Sequence, residues 1–393
     1  MTNADHRFND IRPYYDREVP EAIARLLGNE PFRKAVEPQI APYSWEQFTA
    51  LMGSCNTKDD FQHTIIVRLF LHRVIQNTTR EMRGEGWEHI EGCHNWLFIS
   101  NHRDIVLDAA FLNILLFDRG MNTTEIAIGD NLLIHPWIRD IVRLNKSFIV
   151  RRNVPIRQML EVSRQLSDYI YDTIVNREQS IWLAQREGRA KDSDDKTQVS
   201  LLKMLTLHDK RHPLEALKKL NIIPLSISYE YDPCDYLKAK EFQLKRDHAD
   251  YKKSPKDDLE NMVTGIMGYK GRVLFRFGSS INPDLNKMEP SADRNELLEE
   301  VAAVIDREIY RNYRFFPFNY IAYDRMRGSR LFAREYSEAE NGQFDAYLDK
   351  QIQKIDLPDK DEDFLRKKII EMYGNTVKNQ IETQRLDFSH AEK

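Results

Sequence analysis

A chain of 393 residues with 58 Lys and Arg against 62 Asp and Glu has a formal net charge of −4, which excludes a generally basic face for nucleic acid and makes any anion site local. Cys55, Cys93 and Cys234 stand far apart with no C-x-x-C pair, so neither a disulfide framework nor a zinc ribbon is expected, and a reducing cytoplasm fits best. The length suits one large α/β domain with helical additions, or two domains.

Residues 1–7 are polar and lack both the basic-then-apolar layout of a signal peptide and a myristoylation glycine at position 2. Residues 1–85 read as a helical region, with helices at 21–27, 45–52 and 60–76. In the last of these Ile65, Ile66, Leu69, Phe70, Val74 and Ile75 recur near a period of 3.6. Its basic stretch 67–73 fits either an anionic membrane surface or a core-packing helix.

Between 86 and 285 the pattern changes to short apolar strands at 96–100, 125–128, 147–150, 180–184, 222–229 and 272–277. Helices are expected between them at 107–117, 136–143, 155–176, 199–206, 213–220 and 256–267, an alternation that predicts an α/β sheet with helices on its faces. The polar stretch 191–196 reads as a mobile loop. Residues 286–393 turn helical again, at 294–311, 343–355 and 361–373, and their mixed charge suits a solvated cap or an oligomer contact. The longest apolar runs, 64–75 and 105–117, are shorter than the roughly 20 residues that span a bilayer, so membrane contact is expected to be peripheral.

Four blocks stand out. Phe98-Ile99-Ser100-Asn101-His102 is a strand running into a histidine, followed six places later by Asp108 in an apolar helix. Arg151-Arg152 follows the strand at 147–150, where a fork of donors can meet a phosphate. Glu187-Gly188-Arg189-Ala190-Lys191 follows the strand at 180–184, and Ile222-Ile223-Pro224-Leu225-Ser226-Ile227 is an apolar strand with an early proline. Alone, His102 could equally be a structural or helix-capping histidine. His-Arg-Asp at 102–104 also occurs in protein-kinase catalytic loops, but Ala109 stands where asparagine is required and no glycine-rich loop precedes it.

The order of the four blocks resembles that of the glycerolipid acyltransferases, which acylate glycerol-3-phosphate or lysophosphatidic acid, and the resemblance covers about 90–285. It implies a mixed β-sheet flanked by helices, with helical N- and C-terminal additions. It also implies transfer of a fatty acyl group from an acyl thioester, of coenzyme A or of acyl carrier protein, to the acceptor hydroxyl in phospholipid biosynthesis. Such transfer needs a base to take the hydroxyl proton and a carboxylate to orient that base. His102 is the base, with Asp108 its first candidate partner and Asp104 its second. The family spacing is one residue shorter than that between His102 and Asp108.

By the same resemblance Arg151, with Arg152 in reserve, contacts the acceptor phosphate, and Glu187, Gly188, Arg189 and Lys191 belong to the acceptor site. The third block is one residue short of the family pattern, and Arg186 replaces the usual proline. No cofactor is implied beyond the thioester co-substrate, and no metal is, since Cys93, His94 and His102 lack ligand spacing. The expected place is the cytoplasm, peripheral on the inner face of the cell membrane. Two alternatives remain: O-acylation of another lipid, such as an amino-acid lipid, and a lipid-binding protein without catalysis.

Overall fold

Seven short runs of the chain pair side by side: β1 (Thr79–Glu85), β2 (Leu97–Ser100), β3 (Glu125–Gly129), β4 (Ser147–Val150), β5 (Ile181–Ala184), β6 (Ile222–Tyr229) and β7 (Gly271–Phe277). In this computed structural model, which describes residues 7–92, 95–152, 154–289, 291 and 293–391, they form one sheet in the order β1-β7-β6-β2-β5-β3-β4. Residues 1–6, Cys93 and His94 lie outside the described residues. β6, β2, β5, β3 and β4 are parallel, whereas β7 runs antiparallel to β6 and carries β1 parallel to itself on the edge. The fold is thus a mixed sheet flanked by helices, with helical extensions.

Strand alternation sends successive side chains to opposite faces. Phe98, Trp182, Ile223, Leu225, Ile227 and Phe275 pack against the helix Leu107–Asp118 on one face. Leu97, Ile99, Ile181, Leu183 and Ile222 pack on the other against Ile170, Leu202, Leu217, Leu298 and Ile305. Every residue of β6 is buried, as expected of a strand covered on both faces.

Three expectations need correction, and the open alternative for 67–73 is decided. The stretch 1–85 is not helical throughout, since it ends in β1. With Met82 its only large apolar side chain, β1 shows no apolar alternation and is a strand because β7 offers it a ladder. The loop 191–196 is packed rather than mobile: Ser193 and Asp195 are buried, Asn375 Nδ2 donates to the Asp192 carbonyl at 2.9 Å, and Lys378 pairs with Asp194 at 3.4 Å. Val67, Leu69 and Leu71 are buried, so 67–73 packs into the core and is not a membrane surface. The C-terminal helices are more than a solvated cap. Arg294–Arg311 buries Leu298, Val301, Ile305 and Ile309 over the sheet, while Phe318, Phe344, Leu348, Leu365 and Ile369 form a further core.

Candidate active site

The parallel strands all end at one edge, where the chain must leave the ladder and where crevices form in open α/β sheets. Asn101, directly after β2, replaces the lost ladder with its side chain. Its Nδ2 donates to the Ile227 carbonyl at 2.9 Å, and its Oδ1 accepts the Ile227 N–H at 2.8 Å. The next residue is His102, whose small exposure contrasts with the fully buried Asp108.

His102 Nδ1 meets Asp108 Oδ2 at 2.7 Å. The same oxygen accepts the N–H groups of Arg103 at 2.6 Å and Asp104 at 3.0 Å, so three donors converge on it. Residues 101–106 leave β2 before the helix begins, and this non-helical turn absorbs the extra residue between His102 and Asp108. Asp104 does other work: its Oδ1 accepts the N–H groups of Val106 at 2.9 Å and Leu107 at 2.8 Å, capping the helix. Burial, and then the charge of Asp108, push the Asp104 carboxyl above the usual carboxylate range.

With Nδ1 donating to a carboxylate, the neutral imidazole carries its lone pair on Nε2, the tautomer a general base requires. Trp182 presents its ring edge-on to His102 at a centroid distance of 5.6 Å, and its Nε1 donates to Ser100 Oγ at 3.0 Å. Beneath the loop, Arg103 pairs with Asp195 at 2.6 Å, both buried. Burial raises the Asp195 carboxyl while Arg103 draws it back down. An unpaired charge at that depth would cost several kcal/mol, so the pair fixes where the loop can lie.

The basic residues of the sequence blocks fall into separate surroundings. Arg152, after β4, donates to Glu187 Oε1 at 3.0 Å, and its backbone N–H donates to Asp130 Oδ1 at 3.1 Å, which joins the ends of β3, β4 and β5. Arg151 turns the other way and pairs with Asp10, so the reserve residue rather than the first choice reaches the third block. Arg189 lies beside Asp104, whose carboxyl its charge lowers, and it donates to Asn261 Oδ1 at 2.9 Å. Its Nη1 is buried without a hydrogen-bond partner among the described residues. Lys191 pairs with Glu241, away from the histidine, and burial lowers its pKa. Gly188 turns with φ +67°, a conformation in which an L side chain is strained.

Several residues here carry no sequence signal of their own. Asn101 and Trp182 read as strand-end and core residues, and Asn261 and Gly265 come from the helix Pro255–Met267, which packs over the Asp104 turn.

Residues 81–206 match the model of a protein family described as acyltransferase, a stretch that includes His102, Asp108, Arg152, Glu187 and Arg189. No curated protein matches the sequence. Among solved structures, the crystal structure of PlsC, the 1-acyl-sn-glycerophosphate (LPA) acyltransferase from Thermotoga maritima, is similar at 12% identity. The likeness covers 73% of this chain and 93% of that one at a TM-score of 0.32, too distant to bear on fold or substrate.

Proposed function

We propose that this chain, whose residues 81–206 match a family described as acyltransferase, is a glycerolipid O-acyltransferase acting directly, without an acyl-enzyme. The acyl group passes from a thioester of coenzyme A or acyl carrier protein to a hydroxyl of lysophosphatidic acid or glycerol-3-phosphate. The observation that carries this reading is the 2.7 Å contact between His102 Nδ1 and Asp108, which leaves Nε2 as a base at the open edge of the sheet.

His102 Nε2 takes the acceptor hydroxyl proton as that oxygen bonds to the thioester carbonyl carbon. Asp108 balances the imidazolium charge through the proton on Nδ1. The tetrahedral intermediate then collapses, the carbon–sulfur bond breaks, and the imidazolium returns its proton to the leaving thiolate. Such base catalysis contributes roughly 10²–10⁴-fold. Arg189 and Arg152, the latter braced by Glu187, hold the acceptor phosphate, and orienting the hydroxyl in this way accounts for much of the remaining acceleration.

One observation favours a second acceptor class. Arg151, Arg152 and Lys191 are each already ion-paired, which leaves fewer free cations for a phosphate and suits a lipid such as an amino-acid lipid. Among the described residues no helix is long and apolar enough to cross a membrane, and the reading is of an enzyme that works peripherally, on the inner face of the cell membrane.

The deciding experiment is lipid-product analysis with a panel of acceptors and both thioester donors, for the parent protein and His102→Ala. Acylated product that disappears in the variant is expected. Unchanged turnover in His102→Ala would sink the assignment of the base, and acylation confined to acceptors lacking a phosphate would transfer the reading to the second class.

A further inference from the structure

Large apolar side chains left in water are gathered at one edge of the molecule. Ten stand exposed among the described residues, and eight of them lie on segments that leave β3, β4 or β6 at the strand end where His102 also lies. The most exposed is Ile156, at 87%, the first residue of the helix Ile156–Tyr171. Met159 at 52% and Leu160 at 61% follow at i+3 and i+4, so the three share one helix face. Ile134, at 54%, belongs to the segment after β3, which the Arg152–Asp130 hydrogen bond ties to the segment carrying Ile156.

The charge around this face is biased. Residues 151–164 hold Arg157 and Arg164 against the single acidic Glu161, beside Arg151 and Arg152, which pair with Asp10 and Glu187, in a chain whose formal net charge is −4. Arg157, Arg164 and Arg139 are exposed. An apolar helix face rimmed by arginines is the chemistry of an element lying in the interface of an anionic bilayer, its apolar side chains at the acyl boundary and its cations among the headgroups. The helix Pro255–Met267 also leaves apolar side chains at the same edge, Leu259, Val263 and Met267, while Asn261 and Gly265 face the Asp104 turn; its own charges are Lys256 against Asp257, Asp258 and Glu260, so the cations come from the segment 151–164 rather than from this helix.

We infer that this edge docks on an anionic lipid bilayer through Ile156, Met159 and Leu160, with Arg157 and Arg164 against the headgroups, so that the strand end carrying His102 faces the membrane. The inference rests on the acyl-transfer reading for its purpose and on exposure and charge for its place.

The test is flotation of the full-length protein with vesicles of phosphatidylcholine alone and with vesicles that also contain phosphatidylglycerol. The protein is expected to float with the anionic vesicles and to stay in solution with the neutral ones. Met159→Asp and Leu160→Asp should each lower the vesicle-bound fraction about tenfold, and Met159→Leu should not, since an aspartate removes apolar area and repels anionic headgroups. Arg157→Glu should weaken the preference for phosphatidylglycerol. Unchanged flotation in both aspartate variants overturns the proposal. So does light scattering that shows these variants splitting a dimer while flotation persists, because the face then covers a second copy of the chain. Turnover of a short-chain, water-soluble thioester with glycerol-3-phosphate should match the parent in both variants. If the parent floats but acylates no acceptor of the panel with either thioester, the acyl-transfer reading fails and the docking surface stands.

Discussion

Gly265 lies so close against Asp104 that a Cβ on it would overlap the Asp104 carboxylate. Asp104 in turn caps the helix that carries Asp108, so the glycine supports the histidine turn from the neighbouring helix. Gly265→Ala is expected to cost about 1–3 kcal/mol in unfolding free energy and to lower kcat by displacing the turn. Gly342→Ala is the control. A Cβ there meets nothing within 4 Å, on an exposed helix position, so it should stabilise the fold by roughly 0.5–1 kcal/mol. Thermal denaturation of both variants decides the matter, and equal effects would mean that the contact with Asp104 is immaterial.

The two candidate carboxylates separate by substitution. Asp108→Asn removes the charge that balances the imidazolium and should reduce kcat by about 10²–10⁴-fold. Asp104→Asn keeps a capping oxygen and should retain most of the activity, since asparagine caps helices about as well as aspartate. Steady-state kinetics on the two variants would expose a wrong pairing as a reversed order of loss.

Arg151 and Arg152 should differ in the same way. Arg152→Ala is expected to raise KM for a phosphate-bearing acceptor while leaving thermal stability almost unchanged, because exposed ion pairs contribute only about 0–1 kcal/mol. Arg151→Ala, whose partner is Asp10 on the N-terminal segment, should leave KM as it is. A rise in KM for the Arg151 variant alone would restore that residue to the acceptor site.

Stability should also depend on pH through Asp235, which accepts hydrogen bonds from Tyr347 at 2.6 Å, Gln351 at 2.7 Å and Tyr373 at 3.1 Å. Burial pushes its carboxyl up to about 6. Between the ordinary carboxylate range near 4 and that value the folded chain binds the extra proton, so this contribution favours folding at low pH and fades as pH rises through 6. Asp235→Asn should remove on the order of 2–3 kcal/mol of that slope. Urea unfolding of parent and variant at pH 4, 5, 6 and 7 gives the difference directly, and parallel profiles would show that Asp235 is ionised throughout.

The six strands β2 to β7 are legible in the sequence because each is a short apolar run bounded by polar or glycine residues, and His102 is legible because it follows one of them. β1 is not, since Arg80, Glu81, Arg83 and Glu85 leave it no apolar alternation and only β7 makes it a strand. Of the two adjacent arginines after β4, the sequence cannot say which faces inward. Asp10, far away along the chain, captures Arg151 and leaves Arg152 for Glu187. The contacts of Asn261 and Gly265 with Arg189 and Asp104 are likewise long-range packing that no local pattern encodes. Charge alone made 191–196 look mobile, although Asp195 in that loop is the counter-ion of buried Arg103.

That loop also links the histidine to the end of the chain. Asn375 and Lys378, on the helix Glu362–Ala391, hold Asp192 and Asp194, and Tyr373 accepts the Asp232 N–H at 3.0 Å beneath the same turn. During synthesis the ribosome releases β2, the histidine turn and the whole stretch 81–206 long before that helix exists. Until the helix emerges, the loop opposite Arg103 lacks its brace, so a nascent chain stalled after β7 carries every catalytic residue proposed above without the scaffold that sets them.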